Sequence, residues 1–139
     1  MTRKERFDYI LQYFAQKEGH VTTELQFASA FQLLVATLLS AQCTDKRINQ
    51  ITPELFRHYP TAKAMAAATW EDIFELIKSV SYPNAKAHHL SEMARMLVEQ
   101  FQGEVPDTRE ALTSLPGVGR KTANVVQAVW FGKATMADN

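Results

Sequence analysis

The stretch LPGVGRKTANVV, Leu115 to Val126, carries the strongest structural signal in this 139-residue chain. Its Pro-Gly-x-Gly run predicts a tight turn, because glycine adopts positive φ angles without steric cost. The residues after the turn predict a helix, whose first backbone N–H groups and positive dipole end suit a phosphate. Lys121 falls in the first turn of this helix, where a cation is disfavoured, and this placement indicates a chemical role. A solvated surface lysine is the alternative.

Helical patterns also fill the chain before the turn. Apolar residues recur at helical spacing within residues 1–20, which predicts an amphipathic N-terminal helix. The run FQLLVATLLSAQ, residues 31–42, is apolar on every side and predicts a buried central helix. Further helices are expected from a cap at Thr44 or Asp45, within 62–68, from a cap at Thr69, around Leu90 to Phe101, and from a cap at Asp107. No segment alternates with period two over a useful length, so an all-α domain is predicted.

Composition narrows the class of protein. Fifteen Lys and Arg residues balance fifteen Asp and Glu residues, so net charge alone indicates no polyanionic partner. The single cysteine, Cys43, excludes an internal disulfide and any metal site built from several cysteines of this chain. The charged start MTRKERFDYI does not resemble a signal peptide, and no apolar run approaches the roughly 18–20 residues of a membrane span. We therefore expect a soluble, intracellular protein that does not contact membranes.

Three blocks of this sequence resemble the endonuclease III family of helix-hairpin-helix DNA glycosylases. They are FQLLVATLLSAQCTDKRIN, SYPNAKA and EVPDTREALTSLPGVGRKTANVV, and they occur in the family's order. The resemblance implies a multi-helix DNA glycosylase-type domain with a helix-hairpin-helix motif at residues 115–121. It also implies that residues 1–139 are a single helical region. The expected parts are an N-terminal helix at 1–20 that packs with the C-terminal part in relatives, a helical barrel domain at 21–132, and the start of that C-terminal part at 133–139.

The resemblance implies base-excision DNA repair. The expected reaction is removal of an oxidised pyrimidine, followed by β-elimination at the abasic site through a lysine Schiff base. Such an enzyme flips the damaged nucleotide out of the duplex and fills the gap with side chains. The expected partner is double-stranded DNA with a damaged base or abasic site. The expected protein is a cytoplasmic monomer, associated with the nucleoid if the source is bacterial.

Individual roles follow from the positions that match the family's motifs. Lys121 matches the Schiff-base nucleophile, and Gln42 matches the residue that enters the gap left by the flipped base. Tyr82 falls in the loop that carries an apolar wedge in the family. The backbone phosphate grip is assigned to Gly117, Val118 and Gly119, with Leu115 and Arg120 in the same DNA-binding stretch, and the pocket to Ser40 and Asp45.

Several of these positions have structural alternatives. A helix-end cap is the alternative for Gln42, and a packed aromatic ring is the alternative for Tyr82. Adjacent His88 and His89 diverge by about 100° on a helix, so they predict surface or phosphate-facing side chains rather than a metal pair. Cys43 is predicted to be a small buried or semi-buried residue rather than a nucleophile. A basic rim near the hairpin is suggested by Lys78, Lys86, Arg120 and Lys133, and a scattered solvated surface is its alternative.

The end of the chain departs from the family pattern. The family continues after the last helix with an apolar residue and Asp-Thr-His, whereas this chain ends in GKATMADN. Asp138 therefore comes one residue early, and it is either the catalytic aspartate or a chance residue. The chain resembles the N-terminal two-thirds of the family, without the four-cysteine [4Fe-4S] site that full-length relatives usually carry, so no cofactor is expected. A non-catalytic helix-hairpin-helix DNA-binding module and an inactive fragment of the enzyme are the alternative functions.

Overall fold

The computed structural model describes residues 23–133, and α-helix is the main regular structure throughout this range. Its helices are α1 (Ala30–Leu39), α2 (Asp45–His58), α3 (Ala62–Ala66), α4 (Trp70–Ile77), α5 (Pro83–Phe101), α6 (Arg109–Thr113) and α7 (Arg120–Val129). The predicted all-α class is confirmed. The predicted N-terminal helix and Asp138 lie outside the described residues, and the predicted division into parts stays a prediction.

Helix α1 is the centre of the fold, as its apolar sequence predicts. Ser29 caps it by accepting a hydrogen bond from the N–H of Gln32. Eight of its ten residues are buried, and they include Leu33, Leu34 and Leu39 with no exposed surface. Helices α2, α5 and α7 all pack against α1. The end of α1 is therefore held between helices that come from distant parts of the chain.

Helix α5 is the longest of the described helices, with 19 residues. It begins at Pro83, whose fixed φ and missing N–H suit the first position of a helix. It ends after Phe101, where Gln102 and Gly103 both adopt positive φ angles. Helices α3 and α4 pack along it. The buried side of α5 thus joins the middle of the chain to α1.

Four threonines cap four of the helices that follow α1, namely α2, α3, α4 and α6. The hydroxyls of Thr44, Thr61, Thr69 and Thr108 each accept a hydrogen bond from the backbone N–H three residues later. Thr44 rather than Asp45 is therefore the cap of α2. The predicted Asp107 cap of α6 is wrong, because the N–H of Ala111 bonds to Thr108. The carbonyl of Asp107 instead accepts bonds from Gln127 and Lys133 in the last part of the described chain.

Candidate active site

The turn between α6 and α7 requires glycine at residue 117. Gly117 has a φ of +78°, and the N–H of Val118 closes the turn by donating to the carbonyl of Leu115 at 3.1 Å. A Cβ added at Gly117 would lie 2.7 Å from the Cβ of His89, so the turn packs closely on α5. The side chains of Leu115 and Val118 are buried in the core. These two side chains are therefore not available to a ligand.

Several backbone N–H groups in and just after this turn have no hydrogen-bond acceptor in the described part of the chain. Gly119 is the N-cap of α7 and offers no side-chain cap, and the first bond of the helix runs from Ala123 N–H to Gly119 C=O. Across residues 23–133, no acceptor is found for the N–H groups of five residues, namely Gly117, Gly119, Arg120, Lys121 and Thr122. Val118 is excluded from this set because its N–H closes the turn. Exposed amides at a helix N-terminus form a phosphate-binding arrangement.

Lys121 lies beside these amides and lines a cleft of about 660 Å³. Its side chain is exposed and makes no hydrogen bond or ion pair within the described part of the chain. The same cleft is lined by Ser40, Gln42 and Asp45, from the end of α1 and the start of α2. The tertiary structure thus brings Lys121 together with three predicted site residues that lie about 80 positions earlier in the chain.

Another wall of the cleft is formed by Thr23 and Leu25, in a non-helical segment that side chains of α2 hold. Asp45 accepts a hydrogen bond from Glu24 N–H at 3.2 Å. Asn49 accepts from Gln26 N–H and donates to the carbonyl of Glu24, at 2.9 and 3.0 Å. Sequence reasoning did not identify Asn49, because side chains that pair with an extended backbone leave no periodic signal. In this structure Asp45 and Asn49 shape the pocket.

Gln42 and Tyr82 occupy two adjacent loops, both in left-handed backbone conformations. Their φ angles are 64° and 53°, which are uncommon for residues other than glycine. The Tyr82 side chain is 70% exposed and has no ring partner among residues 23–133, so the packed-aromatic alternative is wrong. Ser40 is the C-cap of α1, and the exposed Gln42 side chain bonds to no helix carbonyl, so the helix-cap alternative is also wrong.

The predicted basic rim is largely absent. Lys86 is only 6% exposed, and its amine donates to the carbonyls of Leu39 and Ala41. Lys78 pairs with Glu75 at 3.0 Å, and Lys133 bonds to the carbonyl of Asp107 at 2.6 Å. Of the four residues proposed for the rim, Arg120 alone is exposed without a partner in the described range. The positive charge beside the hairpin therefore comes from Arg120 and Lys121.

Cys43 and Lys86 influence each other at the base of the two loops. Burial lowers the pKa of the Lys86 amine, and the nearby Cys43 thiol opposes that shift. Burial alone would raise the pKa of the Cys43 thiol, but hydrogen bonds with Ser81 and the charges of Lys86 and Arg47 bring it below its ordinary value. Cys43 is half-buried, as predicted. The groups that perturb its pKa come from distant residues, which the local sequence does not reveal.

The two histidines have separate roles in the packing of α5. His88 stacks on Trp70 with ring centroids 4.0 Å apart, and the ring of His89 lies close to Gly117.

No group of three His, Cys, Asp or Glu side chains between residues 23 and 133 could hold a metal ion. In the same range, no helix is long and apolar enough to cross a bilayer.

Most of this chain is similar to known DNA repair proteins. Residues 35–137 match the model of the HhH-GPD superfamily of base excision DNA repair proteins. The chain is 47% identical to endonuclease III of Synechocystis sp. over 131 residues, which are 94% of this chain and 60% of that protein. It is 44% identical to endonuclease III of Escherichia coli K12 over 137 residues, 99% of this chain and 64% of that protein. The chain thus spans about three-fifths of these relatives.

A solved structure of a trapped endonuclease III–DNA covalent intermediate has the same fold. It superposes with a TM-score of 0.78 at 40% sequence identity, and the match covers 95% of this chain and 62% of that one. The described helices therefore have the arrangement of a protein that was captured covalently attached to DNA.

Proposed function

The chain belongs to the HhH-GPD superfamily of base excision DNA repair proteins, and we propose that it supplies the DNA-binding and nucleophilic parts of a bifunctional DNA glycosylase and abasic-site lyase. The observation that carries this proposal is the unpaired amine of Lys121, which lines a cleft directly beside five unbonded backbone amides. A phosphate held by those amides would bring the adjacent sugar of the strand close to Lys121.

Recognition of DNA would rest on the hairpin backbone and on the two loops. The amides around Gly117 and Gly119 would hold a phosphate, and Arg120 would add a charge that makes binding salt-dependent. Gln42 and Tyr82, whose side chains are exposed and unbonded, would fill the gap when a nucleotide leaves the stack. Ser40 and Asp45 line the cleft that would receive the damaged base, for which we propose an oxidised pyrimidine.

The chemistry would use Lys121 as a covalent nucleophile. Its neutral amine would bond to C1′ of the sugar while the glycosidic bond breaks and the base leaves with that electron pair and a proton. Opening of the sugar ring, in which the ring oxygen takes the remaining amine proton, would give an imine, which makes the C2′ proton acidic. Water would accept that proton while the C2′–C3′ double bond forms and the 3′ phosphate leaves with the electron pair of its C–O bond, which completes the β-elimination. Asp138, predicted as the carboxylate of this site, lies outside the described residues and stays a prediction.

The expectation that this chain carries no cofactor stays a prediction. Cys43 is the only cysteine in the chain, so the four thiolates of a [4Fe-4S] site cannot come from these 139 residues. Each proposed step uses side chains and amides of the hairpin and the cleft.

The proposal is tested by trapping the imine. The protein at the full length that its gene encodes is incubated with duplex DNA containing an abasic site and with borohydride, which reduces the imine to a stable link. We expect a covalent adduct on a denaturing gel, and we expect Lys121→Ala to lower it to the level of a protein-free control. Lys63→Ala, which removes an exposed lysine of α3, is the matched control and should keep the full yield.

Two results would contradict the proposal. One is the absence of an adduct from the unmodified protein, and the other is an undiminished adduct from Lys121→Ala. Salt-sensitive DNA binding without any adduct or strand cleavage would support the alternative of a non-catalytic DNA-binding module, since the hairpin amides would still hold phosphate.

A further inference from the structure

The loops of Gln42 and Tyr82 are held in unfavourable backbone conformations by a common set of contacts. Neither side chain forms a hydrogen bond within residues 23–133, so neither stabilises its own loop. Left-handed residues other than glycine persist only where surrounding contacts over-determine them. The contacts that hold these two loops must therefore come from other residues.

Those contacts come from Ser81 and Lys86. The amine of Lys86 donates to the carbonyl of Leu39 at 2.9 Å and to that of Ala41, next to Gln42. The backbone N–H of Lys86 donates to the carbonyl of Tyr82 at 3.1 Å, which is the first hydrogen bond of α5 and does not depend on the lysine side chain. Lys86 therefore contacts the backbone of both loops, one through its side chain and the other through its main chain.

Ser81, which precedes Tyr82 in the chain, forms further hydrogen bonds to the loop of Gln42. Its hydroxyl donates to the carbonyl of Gln42 at 2.9 Å, and its N–H donates to the Cys43 sulfur at 3.2 Å. The carbonyls that receive these bonds lie at or just beyond the end of α1, where helix carbonyls lack internal partners. We use the name clasp for Ser81 and Lys86 together with the carbonyls and thiol that they contact.

The ammonium group is the specific feature of this arrangement. Lys86 is buried, and none of its contacts in the described structure is a carboxylate. A methionine would fill nearly the same volume without the penalty of burying a charge. It would not orient two carbonyls or place positive charge at the negative end of α1. The amine therefore fixes the backbone geometry of the loop that follows α1.

From these contacts we propose that Lys86 is a positioning residue, which fixes Gln42 and Tyr82 as one unit for filling the gap in a duplex. This inference rests on the proposed function. The loops of Gln42 and Tyr82 would move together and bind DNA together, because a displacement of either loop breaks a bond to Lys86 or Ser81. Gap filling is needed only when a nucleotide leaves a stacked duplex. The clasp should therefore matter for duplex DNA and not for single-stranded DNA.

The experiment compares the two forms of DNA in the full-length protein. Borohydride trapping is timed with the same abasic oligonucleotide as a duplex and as a single strand. For Lys86→Met we expect roughly a tenfold slower reaction on the duplex, which corresponds to the net loss of about one strong hydrogen bond. On the single strand we expect a rate within about twofold of the unmodified protein, since Lys121 is unchanged. Lys86→Arg should recover part of the duplex rate because it restores a buried donor.

Matched variants separate positioning from folding. Lys78→Met removes an exposed lysine near the same loop and should leave both rates unchanged. Ser81→Ala removes the bond to the Gln42 carbonyl and the bond that the hydroxyl accepts from the Cys43 thiol, but it keeps the Lys86 amine. It should show the duplex-specific loss in a weaker form, even if Lys86→Met does not fold. Equal losses on duplex and single strand, or no loss on the duplex in Lys86→Met and Ser81→Ala, would overturn the role of the clasp.

A binding measurement distinguishes failure of the clasp from failure of the proposed chemistry. A duplex with a tetrahydrofuran abasic analogue beside 2-aminopurine reports entry of side chains into the stack through fluorescence. The unmodified protein should change this signal, and Lys86→Met should reduce the change severalfold. If the unmodified protein forms no borohydride adduct, the proposed chemistry fails while this signal still tests the clasp. An identical signal from Lys86→Met and the unmodified protein contradicts the clasp alone.

Discussion

Gly117 is constrained both by the local turn, which needs a positive φ, and by a distant residue, His89, that packs against it. The Pro-Gly-x-Gly pattern predicts a turn with positive φ, and the observed angle of +78° agrees with it. The pattern does not predict that the open side of this glycine faces the Cβ of His89. That contact depends on the packing of α5, which lies about 28 positions earlier. Gly117 is therefore constrained by both its conformation and its neighbour.

Substitution of the two hairpin glycines should have unequal effects. In Gly117→Ala the new methyl group meets His89 in a left-handed backbone, so we expect a loss of about 1–3 kcal/mol in the free energy of unfolding. In Gly119→Ala the methyl group enters open space at φ −95°, so we expect a loss below about 1 kcal/mol, from the weaker N-cap alone. Urea denaturation followed by circular dichroism measures both. Equal losses would mean that the close approach of His89 does not constrain the turn.

Lys86 is a residue whose burial the sequence did not reveal. A lysine is usually solvated, and the basic-rim hypothesis placed Lys86 on the surface near the hairpin. Burial of its amine under the end of α1 depends on two helices meeting, and no residue near Lys86 in the chain signals this. Lys121 was identifiable because its position follows a local motif.

At the scale of elements, α6 begins one residue later than the sequence suggested. Asp107 and Thr108 are both good cap residues, and the spacing to Glu110 favoured Asp107. In the structure the carbonyl of Asp107 accepts from Gln127 and Lys133, and Thr108 takes the cap. Tertiary contacts thus decide which of two neighbouring residues, both suitable as N-caps, begins the helix α6. Most other helices were identifiable, because their apolar periodicity and threonine caps are local signals.

The cap assignment predicts different effects for the two residues. Thr108→Ala removes the acceptor for the Ala111 N–H, and we expect a loss of about 1 kcal/mol in the free energy of unfolding. Asp107→Ala keeps the carbonyl that Gln127 and Lys133 use, and its exposed carboxylate lies 3.7 Å from Lys133, so we expect a loss below about 0.5 kcal/mol. Thermal and urea denaturation compare the variants. A larger loss of unfolding free energy in Asp107→Ala than in Thr108→Ala would show that Asp107, and not Thr108, caps α6.

At the scale of the whole molecule, α1 joins the hairpin, the cleft and the clasp. Helix α7 packs on it and carries Lys121, while its own end carries Ser40 and the loop of Gln42. The cleft exists because these two helices converge. A change in the packing of α1 should therefore affect both the stability of the protein and the geometry of the site.

Core truncation tests the role of α1. Leu34 has no exposed surface, and Leu34→Ala should lower the free energy of unfolding by about 2–5 kcal/mol through lost burial and a residual cavity. Val98 on α5 is 37% exposed, and Val98→Ala should lower it by less than about 1 kcal/mol. Urea denaturation of the two variants provides the comparison. Similar losses would show that α1 is not the structural centre.

The sequence by itself determined the all-α class, the glycine turn and the position of Lys121 in the first turn of the helix that follows it. These features depend on helical periodicity, threonine capping and glycine conformation, which act over a few neighbouring residues. Only the tertiary structure decided that Lys86 is buried, that Asn49 holds the wall of the cleft, and that Ser81 joins two loops. Periodicity specifies which face of a helix is apolar but not which neighbour covers it. Polar contacts across 20 or more residues follow from that choice of neighbour, so they appear only when the helices are packed.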